Sequence, residues 1–423
     1  MRYSNWMPSA LALLFGLASV VRSAETLSLD SFVTLAKMQN PQVRISAAGV
    51  SSSLAAQKSA RSRLLPQVDG QAQASRSASQ LSPPMTGTYS SNSYSAGISG
   101  QQLLFDFGKS YYSVRASSQF VNAAQQDAKN TLQGVVLNAK TAYFNYCLSQ
   151  MLYAVAQEAL TQANAHLASA QALFEIGKQA KYVVTQAQVD VANATVAVIT
   201  TKNGIKLAKV QMDVAAGTTL GSELSLSDSL NSLEPDIKRE EALSRALDSM
   251  PQLVSLRDRL AASRLQLTSA KSALFPDLNA AAGVGLRSQD ASVWSQDWNV
   301  GVNLSVPIFQ GGALVAAVEA AKAAVDQASA QLDATVQSVT AEIDQHYYEK
   351  VAAAERIAAT QKLITQAQEG LQLSQERFSA GAGAALEVTD AETAVANAKS
   401  SHAQALFDYR TAHAKLLAAI GSL

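Results

Sequence analysis

The sequence predicts a mainly α-helical chain with a membrane β-barrel contribution, built from two tandem copies of one plan. Three observations predict it. The text repeats itself at a fixed spacing, two proline-free stretches are long enough for very long helices, and each copy holds a segment where the apolar period drops to two.

The repeat comes first. Around Pro41 the chain reads NPQVRISAAG and runs on to SARSRLLPQVDGQAQASRS; around Pro251 it reads MPQLVSLRDRL and runs on to TSAKSALFPDLNAAAGVGLRS. Pro41 and Pro251 lie 210 residues apart, as do Pro66 and Pro276. LLFDFGK then stands against VPIFQGG, with Phe105 and Phe309 at a spacing of 204. The six-residue change falls in a hairpin loop, where length costs little. The 204 spacing holds onward: Ala142-Tyr143-Phe144 against His346-Tyr347-Tyr348, Phe174-Glu175-Ile176-Gly177 against Phe378-Ser379-Ala380-Gly381, and Ala216-Gly217 against Ile420-Gly421. The copies divide as residues 25–234 and 235–423.

Residues 1–24 read as a secretory signal: Arg2, an apolar run from Ala10 to Val21, then a cut after Ser23 with Val21 three residues before it. The alternative is a retained anchor, for which the run is short. No other segment is a credible transmembrane helix, so entry into a membrane falls to strands. Cys147 is the single cysteine, which excludes an internal disulfide. Lys+Arg and Asp+Glu balance at 33 each, which argues against a nucleic-acid footprint.

Prolines punctuate the elements. Pro41 and Pro251 start helices and Pro66 and Pro276 end them. After those stops the chain alternates. Val68, Gly70, Ala72 and Ala74 alternate with Asp69, Gln71, Gln73 and Ser75. Trp298, Val300, Val302, Leu304 and Val306 alternate with Asn299, Gly301, Asn303 and Ser305. One apolar and one polar face suits a barrel strand between lipid and a wet lumen. The expected hairpins pair about 67–79 with 93–106 and about 277–289 with 297–306, the first closing through a loop at Pro83-Pro84. Four strands cannot close a membrane barrel, so hairpins must be shared between chains. Trp294 and Trp298 are placed at the second hairpin's tip and Tyr89 and Tyr94 at the first, as an aromatic girdle or as ordinary loop packing.

No proline occurs from Met85 to Glu234 or from Ile308 to the end. Long helices are therefore expected over about 109–176 and 313–380, each roughly 100 Å at 1.5 Å per residue. A second helix follows each. Val184, Ala187, Val191, Ala194, Val198, Ile205 and Met212 fall on a coiled-coil seam, as do Val388, Ala391, Val395, Ala398, Ala405, Ala412 and Leu416. Shorter helices at about 29–39 and 236–249 are expected to pack outside as a belt.

Helix, LLPQV, hairpin, LLFDFG, long helix, FEIG, coiled-coil helix and terminal Ala-Gly, all twice, resemble the TolC-like outer-membrane efflux proteins over about residues 27–421. The resemblance implies a homotrimer in the outer membrane, with a twelve-stranded barrel continued by an α-helical periplasmic barrel. The partners it implies are a periplasmic adaptor and an inner-membrane efflux pump or ABC exporter. It makes Ile176-Gly177-Lys178 and Ala380-Gly381-Ala382 the adaptor-docking turns. It also sets Glu387 and Asp390 around the tunnel entrance as an acidic ring, against the plainer reading of acids that stabilise a helix N-terminus.

At the family's latch this chain departs. The tyrosine, arginine and aspartate positions match Phe378, Gly383 and Val183, none of which makes those bonds. Closure then either uses Lys178 or Lys181 against Glu387 and Asp390, or is looser. Small-molecule efflux is the expected function, with a type I protein-secretion duct or a pore-free periplasmic scaffold as alternatives.

No phosphate-binding G-x-x-x-x-G-K-[ST] or G-x-S-x-G motif occurs, and His166, His346, His402 and His413 lack metal-ligand spacing. Glu342, Asp344 and Glu349 near His346 read as solvated helix charges. No catalytic site, metal or cofactor is expected, and His402 reads as a helix-contact residue.

Overall fold

The computed structural model describes residues 26–81, 87–221, 224–227, 230 and 237–423; the expected signal at 1–24 and the Pro83-Pro84 loop lie outside them. β1 (Thr26–Leu27) leads into α1 (Leu29–Gln39) and α2 (Pro41–Ser62). The hairpin β2 (Gln67–Leu81) and β3 (Gly87–Phe105) follows, then α3 (Lys109–Glu175) and α4 (Lys181–Ala216). β4 (Ser225–Leu226) pairs in parallel with β1. The order then recurs as α5 (Arg239–Ser249), α6 (Pro251–Ser272), the hairpin β5 (Asp277–Ser288) and β6 (Ser295–Ser305), α7 (Ala313–Ser379) and α8 (Ala385–Ala419).

α3 and α7 are each 67 residues long and end within one residue of the expected limits. Gly108 and Gly312 start them in the left-handed region. In the first copy the buried Asp106 carboxylate also accepts from the Gly108 and Ser110 amides, satisfying donors the helix start leaves over. The Phe-x-x-Gly signature is a helix stop. Lys178 N–H donates to the Leu173 carbonyl at 2.8 Å and Gly177 N–H to that of Phe174 at 2.9 Å, and Ala382 and Gly381 repeat this on Arg377 and Phe378.

The short helices close two cores against the long ones. Phe32, Val33 and Ala36 of α1 pack with Val136, Ala139 and Tyr143 of α3 and with Met212 and Ala216 of α4. Ala242 and Ala246 of α5 pack with Val339 and Ile343 of α7 and with Leu416 and Ile420. Fully buried alanines let these helices approach closely. The two seams are the inward faces of α4 and α8: Ala187 and Met212 are buried on the first, and Val388, Val395, Ala398, Ala405, Ala412 and Leu416 on the second. His402 lies on the second seam and bonds Thr360 of α7 at 3.0 Å, as a helix-contact residue should.

The hairpins meet in one antiparallel sheet of order β2-β3-β5-β6. β2 and β3 run further than alternation indicates, pairing out to Leu81 opposite Gly87. The extension is serine-rich on both faces, so it carries no period-two signal while its backbone ladder continues. Tyr89 therefore stands opposite Ser79, and Tyr94 stands opposite Ala74 inside the ladder, not at a tip.

The terminal Ala-Gly of the first copy now has a reason. Gly217 caps α4 at φ +75°, and a Cβ there would lie 2.7 Å from Asn40 Cα. Asn40 meanwhile donates to the Ala215 carbonyl and caps α2. Gly217→Ala is expected to destabilise the protein by about 1–3 kcal/mol, from left-handed strain plus a backbone clash. Gly177→Ala has similar strain but open space around it, so it should lower the thermal midpoint less when both are followed by circular dichroism in detergent.

Candidate functional site

Two regions carry features the fold does not need for itself: one face of the sheet and the helical tip. On the sheet, register gathers the apolar residues of four strands on one side. Val68, Ala72, Ala96, Ile98, Val284 and Leu286 share that face with Trp298, Val300, Val302 and Leu304. Trp298 and Val300 are each 75% exposed, and Val302 and Leu304 beside them are exposed too, a contiguous apolar surface of the kind that marks a membrane or partner contact. The opposite face is polar. A Cβ on Gly283 would lie 2.7 Å from Asn299 Oδ1 and one on Gly285 3.0 Å from Asp297 Oδ1, so these glycines give the polar side chains room. Arg287 pairs with Asp297 on this side at 3.5 Å.

Aromatic residues stand at both limits of the apolar face. At the hairpin-turn end, Tyr94 pairs with Ser288 beside the turn that holds Trp294. Trp298 lies in β6 opposite Val284, at the turn end of the apolar face, within the strand the alternation marks. At the helical end, the Phe105 and Phe107 rings lie 4.8 Å apart and Phe107 stacks on Phe275 at 5.3 Å, with Phe309 85% exposed nearby in sequence to β6. This second rim is new. Phe105 and Phe309 served in the sequence only as repeat markers, although Phe107-Gly108 and Phe275-Pro276 mark the same boundary. From the Tyr94–Ser288 pair to the Phe105–Leu278 pair is ten residues of β5. At ~3.4 Å per residue and a tilt of ~40° that spans about 25 Å, the height of a barrel's apolar band.

At the far end of the long helices, Ile176, Gly177, Lys178, Ala380, Gly381 and Ala382 are all exposed in the two turns. Glu387 and Asp390 are exposed on the first turns of α8. The cation that reaches Glu387 is Arg377, Nε to Oε2 at 3.5 Å, and neither Lys178 nor Lys181. The three latch positions come together as an apolar cluster. Phe378, 4% exposed, packs with Leu371, Val388 and Val395, and Leu173 and Val183 pack against them from the first helix pair. Gly383 lets the turn fold back: its Cβ would stand 3.1 Å from Phe378 N and from Arg377 Cβ.

Behind this cluster lies a cavity of about 750 Å³ lined by His166 and Leu173 of α3, Gln372 and Phe378 of α7, and Val388 and Glu392 of α8. Burial, with Asp190 beside it, pushes the Glu392 carboxyl up to about 7. Burial pulls the His166 imidazole below its usual range. Among the described residues no group of His, Cys, Asp and Glu has the geometry to hold a metal ion.

The sequence profile described as "Outer membrane efflux protein" matches residues 33–218 and 242–422. The outer membrane efflux protein BepC of Brucella suis is 24% identical over 98% of this chain and 90% of its own. The outer membrane protein TolC of Vibrio cholerae is 24% identical over 94% of this chain and 91% of its own. The CmeC outer membrane channel of Campylobacter jejuni superposes with a TM-score of 0.84 at 20% identity, over 93% of this chain and 85% of that one.

The latch cluster predicts an order of effects. Phe378→Ala should cost about 3–5 kcal/mol of local stability, and Arg377→Gln, at a half-exposed ion pair, no more than about 1 kcal/mol. Hydrogen exchange over residues 371–395 should accelerate strongly in the first variant and slightly in the second.

Proposed function

The chain belongs to the outer membrane efflux protein family, and on that premise we propose that it is the outer-membrane duct of a tripartite efflux system, conducting small molecules passively from an inner-membrane pump and a periplasmic adaptor. The observation that carries this reading is the sheet: an apolar outward face, a polar opposite face and two open edges, joined directly to helices of about 100 Å. In lipid, the free backbone groups of β2 and β6 need partners from other strands. Three copies would pool twelve strands into a closed barrel, and their helices, as two tandem copies of residues 25–234 and 235–423, would continue it through the periplasm. The aromatic residues Tyr89, Tyr94, Trp294 and Trp298 serve the outer interface and Phe105, Phe107 and Phe275 the inner one.

Each site residue has a place in this duct. The exposed turns at 176–178 and 380–382 are the docking points for the adaptor. Glu387 and Asp390, repeated around a three-fold axis, make an anionic ring that favours cations and binds a blocking divalent ion. The transport energy comes from the pump.

Extraction and capture test the reading together. The protein should leave membranes with detergent and not with salt, and Val300→Arg, on the lipid face, should deplete the membrane-assembled trimer through a cost of about 2–4 kcal/mol per chain. Crosslinked capture from whole cells should recover an adaptor with a drug-type pump; a dedicated peptide exporter would make it a secretion duct, and salt release would restore the scaffold. In planar bilayers, replacing both Glu387 and Asp390 with alanine should raise conductance and weaken divalent block. Unchanged conductance would remove the ring.

A further inference from the structure

Three ionisable side chains meet between the helix pairs at the tip, and neither the fold nor the duct has used them. Asp190 of α4 accepts from Thr389 Oγ1 of α8 at 3.1 Å and from Gln186 Nε2 at 3.4 Å, so its carboxylate ties α4 to α8. Glu392, one turn beyond Thr389, lines the cavity, and its Oε1 is buried with no hydrogen-bond partner. His166 of α3, 7% exposed, lines the same cavity against the Phe378 ring at 5.2 Å and has no hydrogen-bond partner among the described residues. Of the cations on the helices around it, Lys399 pairs with Glu158 at 2.6 Å and Arg377 with Glu387 at 3.5 Å, while Lys178 and Lys181 are exposed at the turn. From α7 the cavity receives Glu376, a further acid, and from α8 Glu387 and Asp390 lie at the exposed tip. The grouping is not a product of the repeat. At the 204-residue spacing, His166, Asp190 and Glu392 stand opposite Gly370, Ala394 and Gln188.

A half-buried carboxylate with one oxygen fully enclosed, beside a second carboxylate and with no cation paired to it, is held more readily as the neutral acid. We propose that Glu392, with Asp190 and His166 around it, is a proton-binding site of the helical tip, and that loss of its proton drives α8 from α4 and opens the periplasmic end of the duct. The proposal rests on the duct reading for its consequence, and on the tip geometry for the site itself. The proton leaves to solvent through the open side of the cavity. The sign follows from the carboxyl being raised in the packed tip from 4.5 to about 7. The packed tip binds more protons than the parted one between those values, so its stability is full at low pH and declines as pH rises through that window. Burial lowers the His166 imidazole, which disfavours a compensating charge beside Glu392. Between pH 6 and 8 the parted-to-packed ratio should rise severalfold, up to about tenfold for an unscreened site.

The test uses the full-length trimer in planar bilayers and, independently, hydrogen exchange over residues 183–192 and 385–395 corrected for intrinsic rates. Wild-type conductance and tip exchange should both rise from pH 6 to pH 8. Glu392→Gln, uncharged and of equal size, should stay flat at the low-pH level. Asp190→Asn should move the midpoint to lower pH, and the pair Glu387→Gln with Asp390→Asn should keep the rise. A flat wild-type exchange profile, or a Glu392→Gln variant that retains the wild-type rise, overturns the proton site. A pH-dependent exchange in a protein that conducts nothing sinks the duct reading and leaves the proton site standing.

Discussion

β2 and β6 end a four-stranded sheet with backbone donors and acceptors that no other strand among the described residues pairs. In water such edges are a liability; in hydrocarbon each orphan group costs several kcal/mol. The apolar face makes the hydrocarbon unavoidable, because Trp298, Val300, Val302 and Leu304 would otherwise lie open to solvent together. The proposed closure with further copies would remove both costs at once, and the junctions between sheet and helices fit it. β3 passes into α3 through only Asp106, Phe107 and Gly108, a junction stiffened by the Asp106 carboxylate. A helix joined so tightly to its strand takes its starting direction from the sheet.

The two copies are alike where length matters and unlike where chemistry matters. Equal long helices bring both tip turns to one level. Arg377 and Glu387, which pair across the second turn, correspond at the 204-residue spacing to Leu173 and Val183, which pack into the Phe378 cluster. One position pair thus makes an exposed ion pair in one copy and apolar packing in the other. Duplication supplied the frame, and substitution at matched positions divided the roles.

Much of this frame is legible in the chain because its signals are local. Proline-free length left room for α3 and α7, whose expected limits hold to within a residue, the 3-4 spacing marked the seams, and alternation marked β6. The signals failed where structure is held by backbone alone or by distant residues. The serine-rich outer half of the first hairpin has no apolar period, so Tyr94 was placed too near its tip. The tip cluster joins His166, Asp190 and Glu392 from three helices, with up to 226 residues between them, and no spacing rule reaches so far. Arg377 carries no spacing signal of its own, because its partner Glu387 lies across the turn on the next helix.

The apolar cluster at the tip sets what any parting of its helices has to overcome. A half-exposed ion pair such as Arg377–Glu387 contributes at most about 1 kcal/mol, and salt weakens it further. Burying Phe378, Val388, Leu371 and Val395 contributes about 1.5–3 kcal/mol for each side chain fully removed from water, and salt does not weaken that. Packing therefore dominates the contact between these helices within the protomer, and the exposed acids add little to it. A latch of this kind resists ionic competition, so it yields to a change that acts inside it. Glu392 lies one turn beyond Val388 on the same helix, bordering the cavity that Phe378 lines. A charge formed there sets desolvation against hydrophobic packing at the same contact, two terms of comparable size.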